Sequence, residues 1–277
     1  MGIKRKIKNF IKRFMIKEYH PFSVPVLQSN MLEGKTVLIT GGSGGIGFAI
    51  GKRCVDCGAR VILVGTNIDK LKNNCSIIGE EKAEYLSFDL NKVSNMTDLV
   101  KMATDKFNGT QIDTLINAAG VHGPSVFFDV REKDYDKVLD VNLKSVFFLS
   151  QAVAKYMIRN SVKGHILNVG SASGIKPAWT PYEISKWGVR GFTLGLAREL
   201  IEYGIVVNSI APGPVATPML GMNENSNYYC PSNPSKRVSD PVEIANLAVM
   251  MISDLGNCVV GDTFFITGGS GTICIDK

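Results

Sequence analysis

No stretch of the 277 residues approaches the ~20 consecutive apolar side chains of a membrane-crossing helix. The N-terminal segment also lacks the continuous apolar core of a secretory signal. Six cysteines are scattered without the dense spacing of a disulfide framework, so a reducing cytoplasm is expected. Cys54 and Cys57 form a C-x-x-C on a predicted helix, but no second Cys or His pair accompanies them, and they are read as helix packing. No constellation of metal ligands is present, and no metal is expected. A basic excess is missing from the body of the chain. Of the formal charge of +6, residues 1–17 hold seven Lys or Arg and no acid, leaving 24 basic against 25 acidic side chains elsewhere. A near-neutral body argues against nucleic acid as the main partner. Internal repeats, low-complexity tracts and interdomain linkers are absent too, which predicts a single domain over 31–277.

The first 30 residues read as a basic amphipathic arm. If helical, Ile3, Ile7, Phe10, Ile11 and Phe14 share one stripe with Lys and Arg opposite, and Pro21 and Pro25 would stop the helix. Residues 1–17 would then lie on an anionic membrane surface, holding the protein peripherally at its inner face, or dock on a protein. A solubilising arm is the alternative.

From Lys35 onward, β-branched runs at 36–40, 61–65, 84–88, 114–118, 165–170, 205–210 and 263–267 alternate with helical segments. The helical segments include 45–57, 94–107, 134–159, 181–203 and 241–254. This alternation predicts an α/β, Rossmann-type doubly wound sheet of seven parallel strands with helices on both faces. Residues 216–240, rich in Asn, Ser and Pro, read as a long loop and a lid candidate.

Directly after the first strand stands Thr40-Gly41-Gly42-Ser43-Gly44-Gly45-Ile46-Gly47, opening a helix. Glycines permit a tight turn and close approach of a pyrophosphate, whose charge meets backbone N–H groups at the helix start. The T-G-x-x-x-G-x-G spacing resembles the short-chain dehydrogenase/reductase family. The resemblance runs over roughly residues 33–270 in the expected order. It implies that Asp89 and Leu90 hold the adenine, and it makes Asn117-Ala118-Ala119-Gly120 the counterpart of the family's N-N-A-G. It further implies that Pro212, Gly213, Val215 and Thr217 border the nicotinamide, with the Thr hydroxyl on its carboxamide. The second strand ends Gly65-Thr66-Asn67 without the acid that would bind a ribose 2′-hydroxyl and repel a 2′-phosphate. The lean is therefore to NADP(H) over NAD(H), with Thr66 and Asn67 as phosphate contacts and Lys70 nearby.

Tyr182 and Lys186 form Y-x-x-x-K, one helical turn apart on one face. An adjacent ammonium and the charge of an oxidised nicotinamide favour the phenolate, bringing proton exchange toward working pH. The resemblance makes Tyr182 the acid/base, with Lys186 on the nicotinamide ribose and both counted among the cofactor contacts. It also implies that Ser171 bonds the substrate oxygen and that Asn142 holds a water in the proton relay. Tyr182 follows Ser171 by eleven positions, fewer than is common in the family, which keeps Ser173 as a second candidate.

The expected pocket lies among 121–130, 172–180 and 216–240, with His122, Phe127, Phe128, Trp179, Met219, Leu220 and Met222 as its lining. The expected substrate is a small carbonyl or alcohol compound. The overall resemblance is to 3-oxoacyl-carrier-protein reductases and sugar or polyol dehydrogenases, and it implies a homotetramer or homodimer paired through 134–159 and 181–203. The alternative is a non-catalytic dinucleotide sensor or scaffold, which would not need Tyr182 and Lys186. An epimerase would normally need a larger substrate domain than the roughly 60 residues after Gly213.

Overall fold

A computed structural model describes residues 30–223 and 225–273, so the basic arm lies outside the described residues save for its last position. Seven strands form: β1 Thr36–Thr40, β2 Arg60–Gly65, β3 Ala83–Ser87, β4 Thr114–Asn117, β5 His165–Val169, β6 Val206–Pro212 and β7 Thr263–Ile266. They pair in parallel throughout, in the order β3-β2-β1-β4-β5-β6-β7. A parallel sheet is covered on both faces, which is why its strands read as nearly continuous Val, Ile and Leu.

The longer helices, in chain order, are α1 Gly45–Asp56, α2 Ile68–Ile78, α3 Met96–Thr104, α4 Glu132–Leu139, α5 Ser145–Arg159, α6 Pro181–Leu200 and α7 Pro241–Ile252. Alternate strand residues enter different cores. Val37, Ile39, Val61 and Leu63 pack against Ile50 and Cys54 of α1, Leu71 of α2 and Ile244 and Val249 of α7. Leu38, Ile62, Val64 and Leu115 pack against Leu99 of α3, Leu149 and Val153 of α5 and Leu200 of α6. Each fully buried Leu or Ile contributes about 1.5–3 kcal/mol. Cys54 and Cys57 are buried in the first core, where burial above all pushes the Cys54 thiol up. Both pack as the sequence suggested.

Two segments depart from the expected layout. The helix anticipated over 134–159 is interrupted by a π-helical turn at Asp140–Lys144, which joins α4 to α5. The turn buries Asn142 to 1% exposure. Such insertions are frequent at functional sites. Nor are residues 216–240 structureless. Bridges pair Val215 with Ser239 and Tyr229 with Arg237, and Ala216, Tyr228 and Val238 form a small core with Met222 and Cys230. The far end is pinned to α7: Arg237 makes two 2.7 Å bonds to the Glu243 carboxylate, and Tyr228 Oη donates to Asp240 at 3.2 Å. The strand order reverses between β1 and β4, which opens a crevice beyond their carboxyl ends.

Candidate active site

The glycine loop is braced before any ligand arrives. Gly41 adopts a left-handed φ of +70°, and a Cβ there would stand 2.8 Å from the Ala118 oxygen and the Ala119 nitrogen. A Cβ on Gly47 would overlap the Gly41 carbonyl. Thr40 Oγ1 accepts from the backbone N–H groups of Ala118 (3.1 Å) and Ala119 (3.2 Å), tying the end of β1 to that of β4. Asn74 Nδ2 donates to the Gly42 carbonyl at 2.8 Å. Helix α1 starts after Gly44 with no side-chain cap and no acid in its first turn. Its first N–H groups therefore suit an anion.

A cavity of about 410 Å³ runs along this loop, lined by Gly41, Ser43, Gly44, Gly45, Ile46, Gly47, Thr66, Lys70, Asp89, Leu90, Ala118, Ala119, Gly120 and Thr217. Glycines that any Cβ would fill, an uncapped helix start and this volume fit a nicotinamide dinucleotide. Two expected contacts are placed elsewhere. Asn67 Oδ1 accepts from the Lys70 N–H at 2.9 Å and caps α2 instead of facing the cavity. Asn117 is buried, and its Nδ2 donates to Ser150 Oγ (3.0 Å) and Asn168 Oδ1 (2.9 Å), while Asn168 Nδ2 donates to Thr193 Oγ1 (3.0 Å). That network ties β4 and β5 to α5 and α6.

The second cavity, of about 230 Å³, shares Ile46, Ala118, Gly120, Thr217 and Met219 with the first. Ser171, Ser173, Tyr182, Lys186, Pro212, Gly213 and Val215 stand on its wall, so the expected catalytic Ser, Tyr and Lys do converge. Their elements explain the placement. Ser171 follows β5, and its Oγ accepts from the Ser173 N–H at 3.1 Å. Thr180 and Pro181 start α6, with the Glu183 carboxylate accepting the Thr180 N–H at 3.1 Å, which fixes Tyr182 in the first turn.

Burial raises the Tyr182 pKa, opposed by a hydrogen bond with Ser171 and reinforced by Glu183. Burial also takes Lys186 from its ordinary 10.5 down to about 8. In the protein without nucleotide, burial therefore outweighs what would lower the tyrosine. Lys186 Nζ instead donates to the Val169 carbonyl at 2.9 Å, standing 5.7 Å from the Tyr182 ring centroid.

Asn142 stands buried in the π-helical turn. Its Oδ1 accepts from the Val121 N–H at 2.8 Å, and its Nδ2 donates to the Val121 carbonyl at 3.0 Å and Ser185 Oγ at 3.2 Å. The amide thus clamps the segment after β4 to α6. It does not line either cavity, and its side-chain amide bonds to protein groups.

His122 stacks on Tyr182 with ring centroids 4.1 Å apart, and partial burial and the Lys186 charge push its pKa down. Of the other expected lining residues, Met219 and Leu220 face the cavity. Phe127, Phe128 (91% exposed) and Trp179 do not line it, and Met222 packs into the small core of 216–240. Sequence reasoning had Thr40 only as the opening of the glycine motif and missed Asn74, since the bracing by each depends on distant partners. It covered Lys176 only as part of the expected 172–180 wall and missed Ser270, both of which line the second cavity. The only local signal for these two was their position, in the short Ser171–Tyr182 loop and in a glycine-rich segment after β7.

The profile of the short chain dehydrogenase family matches residues 35–227. A 3-oxoacyl-[acyl-carrier-protein] reductase of Vibrio cholerae is 32% identical over 242 residues, covering 86% of this chain and 98% of that protein. A 3alpha-hydroxysteroid dehydrogenase of Mediterraneibacter gnavus is 32% identical over 248 residues, covering 87% and 98%. Among solved structures, a 3-ketoacyl-(acyl-carrier-protein) reductase from Brucella melitensis, complexed with NADH, superposes with a TM-score of 0.79 at 28% identity, covering 87% of this chain and 99% of that one.

Proposed function

The chain belongs to the short chain dehydrogenase family, and from that premise we propose that Tyr182 is the proton-transferring group of a carbonyl–alcohol interconversion. Oxidoreduction of CH–OH and C=O groups with a nicotinamide nucleotide is the chemistry of the family, and the chain is an enzyme of that kind. When bound, the nucleotide supplies or accepts the hydride. Tyr182, protonated at working pH, donates its phenolic proton to the carbonyl oxygen during reduction and recovers it during oxidation. Ser171 Oγ donates to the same oxygen and stabilises its developing charge. Lys186 orients the nicotinamide ribose, and Asn142 holds the segment after β4 against α6.

The observation that carries this reading is the convergence of Ser171, Tyr182 and Lys186 on one wall of a cavity that opens into the glycine-lined one. Tyr182→Phe is expected to lower kcat by about 10²–10⁴ while NADPH still binds in a fluorescence titration. Turnover at the native rate in that variant would overturn the assignment.

NADP(H) is the proposed preference, supported by Thr66 and Lys70 on the cavity wall and by the absence of an acid from Gly65 to Asn67. A Kd for NADH below that for NADPH would reverse it. The lid role narrows to the turn Pro218–Leu220, whose Met219 and Leu220 reach the cavity. Buried Cys54 and Cys75, neither of them in a disulfide, support a reducing cytoplasm. No described helix is long and apolar enough to cross a membrane. For residues 1–17 we retain contact with an anionic membrane or a protein; deleting residues 1–28 is expected to abolish sedimentation with anionic vesicles.

A further inference from the structure

We infer that the substrate carries an anionic group, a carboxylate or a phosphate, and that Lys176 receives it; this rests on the oxidoreductase reading above. Ile46, Ala118, Gly120 and Thr217 line both cavities and border the dinucleotide. The wall that remains for a substrate includes Ser171, Ser173, Lys176, Tyr182, Leu220 and Ser270. No Asp or Glu lines this cavity. It carries two lysines, of which Lys186, bonded to the Val169 carbonyl, is the one assigned above to the nicotinamide ribose.

Lys176 is held at three levels. Its carbonyl accepts from Trp187 Nε1 at 2.8 Å. Its stem lies along Gly271, where a Cβ would come within 2.6 Å of the lysine Cε. Its Nζ donates to Ser270 Oγ at 3.0 Å. Among the described residues no carboxylate pairs with it. An ammonium has three donors, so two remain for an incoming anion. A solvated surface lysine would have no need of this scaffolding. The surrounding Ala172, Val215, Met219 and Leu220 lower the local dielectric and strengthen pairing with an anion.

The test is calorimetric titration of the protein–NADP⁺ complex with matched pairs: acetoacetate against its methyl ester, and dihydroxyacetone phosphate against dihydroxyacetone. In the native protein the charged member of at least one pair is expected to bind about tenfold or more tightly. The better pair identifies carboxylate or phosphate as the group recognised. In Lys176→Met that preference should collapse, and in Lys176→Arg it should persist. A native protein that binds the nucleotide and shows no charge preference overturns the inference alone, as does a preference that survives in Lys176→Met. A native protein that binds neither NADP⁺ nor NAD⁺ overturns the oxidoreductase reading itself.

Discussion

Lys186 is buried beside Tyr182, and burial alone takes its ammonium from 10.5 to about 8. Between those values the unfolded chain binds a proton that the folded chain lacks, so this group makes stability rise with pH across that window. Below about pH 8 the folded protein bears the full cost of a buried charge, about 3 kcal/mol from the size of the displacement. Lys186→Met should therefore abolish turnover and yet raise stability at pH 7 by about 1–3 kcal/mol, the lower figure reflecting a Val169 carbonyl that loses its donor. Urea melts at pH 7 and pH 10 check this, and the gain should shrink at the higher pH. Equal or lower stability of the variant at pH 7 would count against a charged, buried lysine. The same value shapes catalysis: carbonyl reduction should decline as pH passes through about 8, where Lys186 loses its proton while Tyr182, pushed up by burial, keeps its own.

The turn from β1 into α1 works because three backbones approach too closely for side chains. Gly47→Ala would push a Cβ into the Gly41 carbonyl, whereas a Cβ on Gly44 meets the same oxygen at 3.3 Å with an extended backbone that any residue adopts. Gly47→Ala is expected to destabilise the protein by about 1–3 kcal/mol and to weaken dinucleotide binding more than tenfold, with Gly44→Ala much milder. Thermal melts and NADPH titrations of both variants test the ranking.

That loop was legible in the sequence because its demands are local, as were the strands, whose β-branched runs announce burial on two faces. Less local features were hidden. The π turn at Asp140–Lys144 is one inserted residue's worth of backbone that leaves the helical periodicity of 134–159 nearly intact. Asn67 and Asn117 sit where the family pattern suggested contacts, yet a cap bond to Lys70 and a buried bond to Asn168 compete for their amides. Thr40 opens the glycine motif, yet neither its bracing role nor that of Lys176 is written locally, because the partners that give each its role lie far away in the chain, at Ala118 and Ser270.

At the scale of the molecule, the outer side of α5 and α6 is unlike a solvated helix pair. A groove of about 450 Å³ is lined mainly by apolar residues, among them Phe147, Ile158, Phe192 and Leu196, with Gln151, Lys155 and Glu199 also on its wall. Phe147 is 43% exposed, and nothing stands within 4 Å of where a Cβ would be on Gly191 or Gly195. Glycines on an apolar helix face let a second helix approach closely, and a patch that covers itself by two-fold rotation closes a dimer without leaving an open end. The homodimer or homotetramer that the family resemblance implies would use this face. Light scattering of the native protein should then give a multiple of 30.1 kDa. Phe147→Glu combined with Gly195→Arg should reduce that mass, because a charge and a bulky side chain would meet their own copies across the axis. Both positions are open to solvent in the protomer, so the substitutions should cost little folding stability by themselves. The α6 that presents Gly195 also carries Tyr182 and Lys186 in its first turns, so loss of the partner should show in kcat as well as in mass. A native protein that scatters as a single protomer would remove the two-fold contact and leave this apolar face without an assigned role.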